Sequence, residues 1–97
     1  MAANISKVYT TTGAQNAVDI DASHGVTYGI TSENGDVTIA SVEVKIGKDG
    51  RWYDSTPDSM IEGEAYTLFG PIEAMRVNVS SLGTSTFYYF DITASDR

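Results

Sequence analysis

The residues of this chain that could perform acid–base or metal chemistry are one histidine and two closely spaced aspartates. His24 precedes Gly25 in a segment that has the composition of a turn. A catalytic triad would need its imidazole beside a hydroxyl and a carboxylate, yet the sequence contains no Gly-x-Ser-x-Gly nucleophile elbow. A metal would need a second nitrogen ligand, and the chain has only this histidine. The sequence therefore predicts that His24 is a turn residue.

The aspartates, Asp19 and Asp21, flank Ile20 and offer the oxygen ligands that calcium takes. In a β-strand, however, both carboxylates lie on one face while Ile20 enters the core, and no calcium-hand spacing surrounds them. A glycosidase pair is not recognisable either, because 13 acidic residues always provide some pair of carboxylates. We expect no catalytic residue, metal or cofactor, and we predict that the protein is not an enzyme.

Composition and charge limit the partners of the chain. The 13 acidic and 6 basic residues give a net charge of -7, and the basic residues are scattered. Binding of phosphate backbones requires a concentrated positive field, so neither nucleic acid nor an anionic membrane is an expected partner. The apolar runs are far shorter than a membrane span, and no secretory signal begins the chain. We expect one soluble domain over residues 1–97, with a flexible N-terminal arm at residues 1–6 that orders on assembly.

The elements that must position these side chains are β-strands. Apolar residues recur with a period of two and turn residues return about every 8–12 positions, which is typical of a sandwich or barrel. The predicted fold is all-β, an antiparallel β-sandwich of about eight strands with jelly-roll or immunoglobulin-like topology. The connection at residues 55–63 is predicted to be a loop. The predicted strands span residues 5–12, 16–21, 25–32, 36–46, 51–55, 64–69, 72–80 and 85–93.

Turn chemistry predicts two hairpins. Asn34-Gly35 is typical of a type I′ turn, which would pair residues 25–32 with residues 36–46. The apolar positions change from odd to even numbers across Ala40-Ser41, and one extra residue there, a β-bulge, would align Tyr28 with Val42.

The second predicted hairpin turns at Lys48-Asp49-Gly50. A three-residue loop with Gly50 in the left-handed conformation would place Trp52 opposite Ile46 on the core side. Burial of the indole favours this arrangement over a two-residue loop.

The last two strands provide the candidate contact residues. Met75, Val77 and Val79 are predicted to point inward, and Arg76 outward, where an acidic side chain across the sheet or a subunit contact could pair with it. The segment 87–92 is apolar on both faces, so either the strand is central and covered twice, or another subunit covers one face. Tyr88 and Tyr89 point to opposite faces, and the outward one is the best contact candidate. The predicted interface residues are Tyr88, Tyr89, Phe90, Arg76 and Tyr9, within a contact that includes the N-terminal segment 4–9.

Residues 36–80 contain, in order, a V-x-V strand, a D-G turn, a tryptophan, and a G-P break before an R-V-x-V strand. These read Val42-Glu43-Val44, Asp49-Gly50, Trp52, Gly70-Pro71 and Arg76-Val77-Asn78-Val79. In this pattern the chain resembles short virion proteins of tailed bacteriophages. Many such proteins carry extra Gly or Thr residues before the tryptophan, where this chain has Arg51 alone.

This resemblance implies a structural protein of the virion that is made in the host cytoplasm. The expected role is capsid decoration (cement), in which a homo-oligomer, a dimer or trimer, binds the major capsid protein or another virion protein. The alternative role is that of a carbohydrate-binding or receptor-binding module in a phage fibre.

Overall fold

The computed structural model describes residues 4–47 and 49–94. Within these residues the chain forms nine β-strands and no helix. The strands are β1 (Asn4–Tyr9), β2 (Gly13–Ala14), β3 (Val18–Ala22), β4 (Gly25–Ser32), β5 (Thr38–Lys45), β6 (Trp52–Asp54), β7 (Ala65–Phe69), β8 (Ile72–Ser81) and β9 (Tyr88–Ala94).

The strands form two antiparallel sheets that pack face to face. The four-stranded sheet has the order β1-β9-β4-β7. In the five-stranded sheet β8 is central: β2 and β3 pair with one of its edges, β5 pairs with the other, and β6 lies beyond β5. The predicted all-β sandwich is confirmed, with the short β2 as an additional strand. The predicted loop at residues 55–63 is also confirmed, since it joins β6 to β7 without a helix.

Alternating side chains build the core between the sheets, as the period of two predicts. In the five-stranded sheet Met75, Val77 and Val79 of β8 are buried, as predicted. The largest fully buried side chains come from both sheets and are Tyr28, Tyr88, Phe90, Ile30, Met75, Ile92, Val26, Val42, Val77 and Val79. The break at Gly70-Pro71 is confirmed too, since β7 ends at Phe69 and Gly70 adopts a φ of 95°.

The prediction of a hairpin at Asn34-Gly35 is wrong. β4 belongs to the four-stranded sheet and β5 to the five-stranded one, so the turn carries the chain between the sheets and Tyr28 does not pair with Val42. The Glu62 carboxylate holds this crossing, because it accepts hydrogen bonds from the backbone N–H of Ser32 (2.9 Å) and of Val37 (3.1 Å). These bonds satisfy one backbone donor on each side of the turn.

The bulge predicted at Ala40-Ser41 is confirmed, but with a different partner strand. The register shifts between Ile39, which pairs with Val79, and Ser41, which pairs with Asn78. The extra residue thus restores the inward position of the even-numbered apolar residues against β8 instead of β4.

In the second hairpin β5 and β6 pair as predicted, but the loop and the position of Trp52 differ. Trp52 pairs with Lys45 on the outer face of the five-stranded sheet, and Ile46 is exposed. The glycine with positive φ is Gly47 (80°), not Gly50, and Lys48 lies outside the described residues. An outward indole is stable here because the Arg76 guanidinium carbon lies 4.1 Å from its ring centroid, a cation–π contact that also covers the ring.

The prediction of a flexible N-terminal arm is wrong for residues 4–6. These residues begin β1, which pairs with β9 over its whole length from Asn4 to Tyr9. Ile5 and Tyr9 pack against the core, and this apolar burial stabilises the paired strand. Residues 1–3 lie outside the described residues.

Two buried tyrosines carry hydroxyl groups that have no hydrogen-bond partner in the described part of the chain, Tyr28 and Tyr88. Burial raises the pKa of Tyr28 to about 12, and the neighbouring Tyr66 adds to the shift. We expect Tyr28→Phe to raise the free energy of unfolding by about 1 kcal/mol, because it removes an unpaired polar group and keeps the ring. Urea denaturation would measure this change.

Tyr66→Phe is the matched control, because the Tyr66 hydroxyl accepts a hydrogen bond of 2.7 Å from the backbone N–H of Ile61. In that variant the free energy of unfolding should fall by about 1 kcal/mol. A loss of similar size in Tyr28→Phe would show that a buried water satisfies the Tyr28 hydroxyl.

Candidate interaction surface

The outer face of the four-stranded sheet combines small polar residues with exposed apolar ones. Because paired residues in an antiparallel sheet point to the same face, the registers of β1, β9, β4 and β7 define rows of neighbours. The rows are Thr93–Thr27–Thr67, Asp91–Gly29–Ala65 and Val8–Tyr89–Thr31. Within the first row the hydroxyls of Thr27 and Thr67 are 3.2 Å apart.

An aromatic patch formed by Val8, Phe87 and Tyr89 occupies one end of this face. Val8 is 57% exposed and Tyr89 is 41% exposed. The Phe87 and Tyr89 rings meet edge to face, with centroids 5.5 Å apart. Aromatic residues are enriched at protein interfaces, so this patch is the best contact candidate on the face. Of the two tyrosines that the sequence could not separate, Tyr89 is the outward one.

The middle row is depressed, because Gly29 and Ala65 have almost no side chain. The resulting central groove has a volume of about 250 Å³, and its walls include Thr27, Asp91 and Glu64. A second hollow of about 260 Å³ lies beside it, between β1 and β9. Its polar lining residues are Asn4, Ser6, Asp91 and Thr93, and Ser6 Oγ donates to Asp91 Oδ1 at 2.5 Å. Both depressions are shallow and offer carboxylate acceptors.

The prediction that Tyr88 and Phe90 are interface residues at the surface is wrong. Both are 0% exposed, because the even-numbered residues of β9 face the five-stranded sheet. Tyr9 is half-buried, and its ring centroid lies 5.4 Å from that of Tyr88. Of this group, Tyr89 alone presents its ring on the outer face of the sheet.

Arg76 lies on the opposite side of the sandwich from the aromatic patch. Its Nε donates to Glu43 Oε1 at 2.7 Å, so the predicted ion pair across the sheet is confirmed. Both side chains are about one-third exposed, and such a pair contributes roughly 0–1 kcal/mol. Because Arg76 and Tyr89 lie on opposite faces, a single flat contact with one partner surface cannot include both.

The residues that could perform chemistry do not converge. His24 is exposed before β4, and its carbonyl accepts a hydrogen bond of 3.3 Å from the Gly70 N–H. Ile20 enters the core while Asp19 and Asp21 are exposed, as the strand interpretation predicted. Asp21 has a φ of 52° at the register break of β3. In residues 4–47 and 49–94, no group of three histidines or acids could hold a metal ion.

A set of carboxylates that was not predicted from the sequence ties the loops together at one end of the sandwich. Asp36 accepts hydrogen bonds from the N–H and hydroxyl of Thr84, both at 2.6 Å, and from the Ser85 hydroxyl at 2.7 Å. These bonds lower the pKa of Asp36 to about 2. Glu33 similarly accepts from the N–H and hydroxyl of Thr86, both at 2.9 Å. The Thr/Ser/Gly-rich segment 81–86 was the available signal, but its acidic partners lie far away in sequence.

Comparisons of the chain with protein-family models, with curated proteins and with solved structures find no match. Among the described residues, no helix is long and apolar enough to cross a membrane.

Proposed function

We propose that this protein is a non-enzymatic structural protein of a tailed-bacteriophage virion, where it decorates the capsid by binding the major capsid protein as a homo-oligomer. The observation that carries the proposal is the aromatic patch, in which Val8 is 57% and Tyr89 41% exposed. The resemblance of residues 36–80 to short virion proteins supplies the class of partner.

The mechanism is multivalent adhesion by a preformed surface. Val8 and Tyr89 of the patch lie on β1 and β9, which pair over six residues, and Phe87 directly precedes β9, so little ordering is required when the patch binds. Phe87 and Tyr89 supply large contact area, while Asp91 beside them suits a partner with a basic rim. One copy contributes a modest contact, and an oligomer multiplies it because later contacts form at high effective concentration.

Co-sedimentation with capsids that lack decoration tests the proposal. Wild-type protein should pellet with capsids, and Tyr89→Ser should weaken the binding at least about tenfold, because it removes the central aromatic contact. Tyr53→Ser is the matched control, since Tyr53 is a 51% exposed tyrosine on β6 in the other sheet, and its binding should stay unchanged. Wild-type protein that stays in the supernatant, or equal effects of both variants, would contradict the proposal.

The second candidate is a glycan-binding or receptor-binding module of a phage fibre, and the polar hollow between β1 and β9 favours it. Asp91 could accept hydrogen bonds from sugar hydroxyls, and the neighbouring Tyr89 offers a ring face for stacking. Calorimetry against a glycan panel would detect binding that Asp91→Asn abolishes. Trp52 lies on the opposite sheet, so its fluorescence should not respond. Glycan binding without capsid binding would favour this candidate over decoration.

A further inference from the structure

β7 is an edge strand that lacks the features by which sheet edges usually avoid pairing. Its sequence, Ala65–Phe69, contains no charge and no proline, and its pairing with β4 has no bulge. Within the described residues, no strand pairs with its other edge, and no loop backbone hydrogen-bonds to it. Phe69 is 86% exposed, the largest exposure among the large apolar side chains of the described residues. An uncharged, flat and apolar edge is a template for strand addition.

The backbone groups at this free edge belong to alternate residues. Gly70 N–H donates to the His24 carbonyl, and Gly70 and His24 extend the β4–β7 register by one pair. Since hydrogen-bonded and non-hydrogen-bonded pairs alternate along an antiparallel ladder, Tyr66 and Leu68 direct their backbone groups to β4. Ala65, Thr67 and Phe69 therefore direct their N–H and C=O groups to the free edge.

We infer that β7 pairs with β7 of a second copy of this chain, antiparallel around a two-fold axis at Thr67. In this register Thr67 lies opposite Thr67 of the second copy, and Ala65 lies opposite Phe69. All three residues with free backbone groups then exchange hydrogen bonds across the contact. The side chains are complementary in size, because the small Ala65 meets the large Phe69 in each half. A two-fold contact of this kind is closed and self-complementary.

The central groove provides the receptor for the Phe69 ring. Ala65 and Gly29 form one row of the outer face, and both line the groove of about 250 Å³. Phe69 of the second copy would extend that row, so its ring would lie over Ala65 toward Gly29. The groove is thus filled only when the second copy is present, and an apolar ring that is otherwise exposed becomes buried.

This inference deepens the proposed function and rests on it for its biological setting. The two-fold axis runs perpendicular to the sheet, because paired residues point to the same face. The dimer would therefore present one continuous sheet with both aromatic patches on the same side. Two patches held in one plane are the arrangement that multivalent binding to a capsid surface requires.

Cysteine cross-linking at the proposed axis tests the contact directly. The chain contains no cysteine, so Thr67→Cys introduces a single thiol. Hydrogen-bonded pairs in antiparallel strands have Cα atoms about 5.5 Å apart, which is within disulfide range. Under mild oxidation this variant should form a covalent dimer of twice 10.4 kDa. Thr38→Cys, at an exposed residue of β5 in the other sheet, is the control and should form no covalent dimer. Equal cross-linking of both variants, or none at Thr67→Cys, would overturn the inference.

Sedimentation equilibrium tests the same contact without oxidation. Thr67→Lys places two like charges on the axis and Phe69→Ser empties the groove, so each should raise the dissociation constant of the dimer at least about tenfold. Thr38→Lys, on the other sheet, should leave this dissociation constant unchanged. Thermal unfolding of each variant confirms that the fold is retained. A wild-type chain that is monomeric but binds capsids would remove the β7 contact and the homo-oligomer and leave capsid binding, whereas a β7 dimer that ignores capsids would remove the decoration proposal alone.

Discussion

Phe90→Ala should lower the free energy of unfolding by about 3–5 kcal/mol, the largest loss we expect from any truncation in this chain. Phe90 is 0% exposed and lies on β9, between β1 and β4 in the four-stranded sheet. Its ring packs edge to face on Tyr28, with centroids 6.2 Å apart, so truncation leaves a cavity lined by groups that cannot all close around it. A loss of this size is comparable to the whole stability of many small domains, so much of the variant should be unfolded at 25 °C.

Tyr89→Ala is the matched control, because Tyr89 is the next residue of the same strand and faces outward. It should cost less than about 1 kcal/mol, since surface substitutions usually have small effects. Urea denaturation followed by circular dichroism measures both variants, and co-sedimentation measures their binding to capsids. The expected pattern is stability lost in Phe90→Ala and binding lost in Tyr89→Ala. The opposite pattern would mean that the two faces of β9 are reversed and that Phe90 is a contact residue.

The strands themselves were predictable from sequence because their signal is local. Alternation placed Ile20, Met75, Val77 and Val79 inward, and the structure buries all of them. The bulge at Ala40-Ser41 was predictable for the same reason, since a change of parity within one strand requires an extra residue. These features depend on neighbours along the chain and not on which strand pairs with which.

Sheet assignment was not predictable, because distant hydrogen bonds decide it. Asn34-Gly35 has the composition of a hairpin turn, but Glu62 binds the backbone on both sides of that turn and the chain crosses to the other sheet. Trp52 was placed inward because burial of an indole is favourable, yet Arg76, 24 positions later in the sequence, gives it a stacked outward site. In each case the local preference is outweighed by a polar partner that is distant in sequence and comes close only in the folded chain.

The candidate surface was predictable in part. The sequence showed that Tyr88 and Tyr89 point to opposite faces, but not which face is covered, because 87–92 is apolar on both. That choice depends on how β9 sits between β1 and β4, which pair with it from far away in sequence. The exposure of Phe69 was not predicted. The sequence pattern of a strand that ends at a Gly-Pro break does not show whether the strand is central or at the edge of the sheet.

Gly25→Ala should lower the free energy of unfolding by about 3 kcal/mol or more. Gly25 is buried at the start of β4, pairs with Phe69 and has a φ of 135°, which L-residues rarely adopt. A Cβ added there would lie 2.4 Å from the Leu68 carbonyl oxygen and 3.2 Å from the Phe69 Cα. Both atoms belong to the backbone of β7, so no side-chain rotation relieves the contact and β7 must move away from β4.

Gly13→Ala separates this clash from backbone strain. Gly13 also has a positive φ, 94°, but an added Cβ meets no atom within 4 Å, so only the conformational cost of about 1 kcal/mol should appear. Urea denaturation gives the two losses, and sedimentation equilibrium should show that Gly25→Ala also weakens the β7 dimer while Gly13→Ala does not. Equal losses in the two variants would mean that the chain relaxes at Gly25 without moving β7, and the close approach of β4 and β7 would then not be what requires a glycine there.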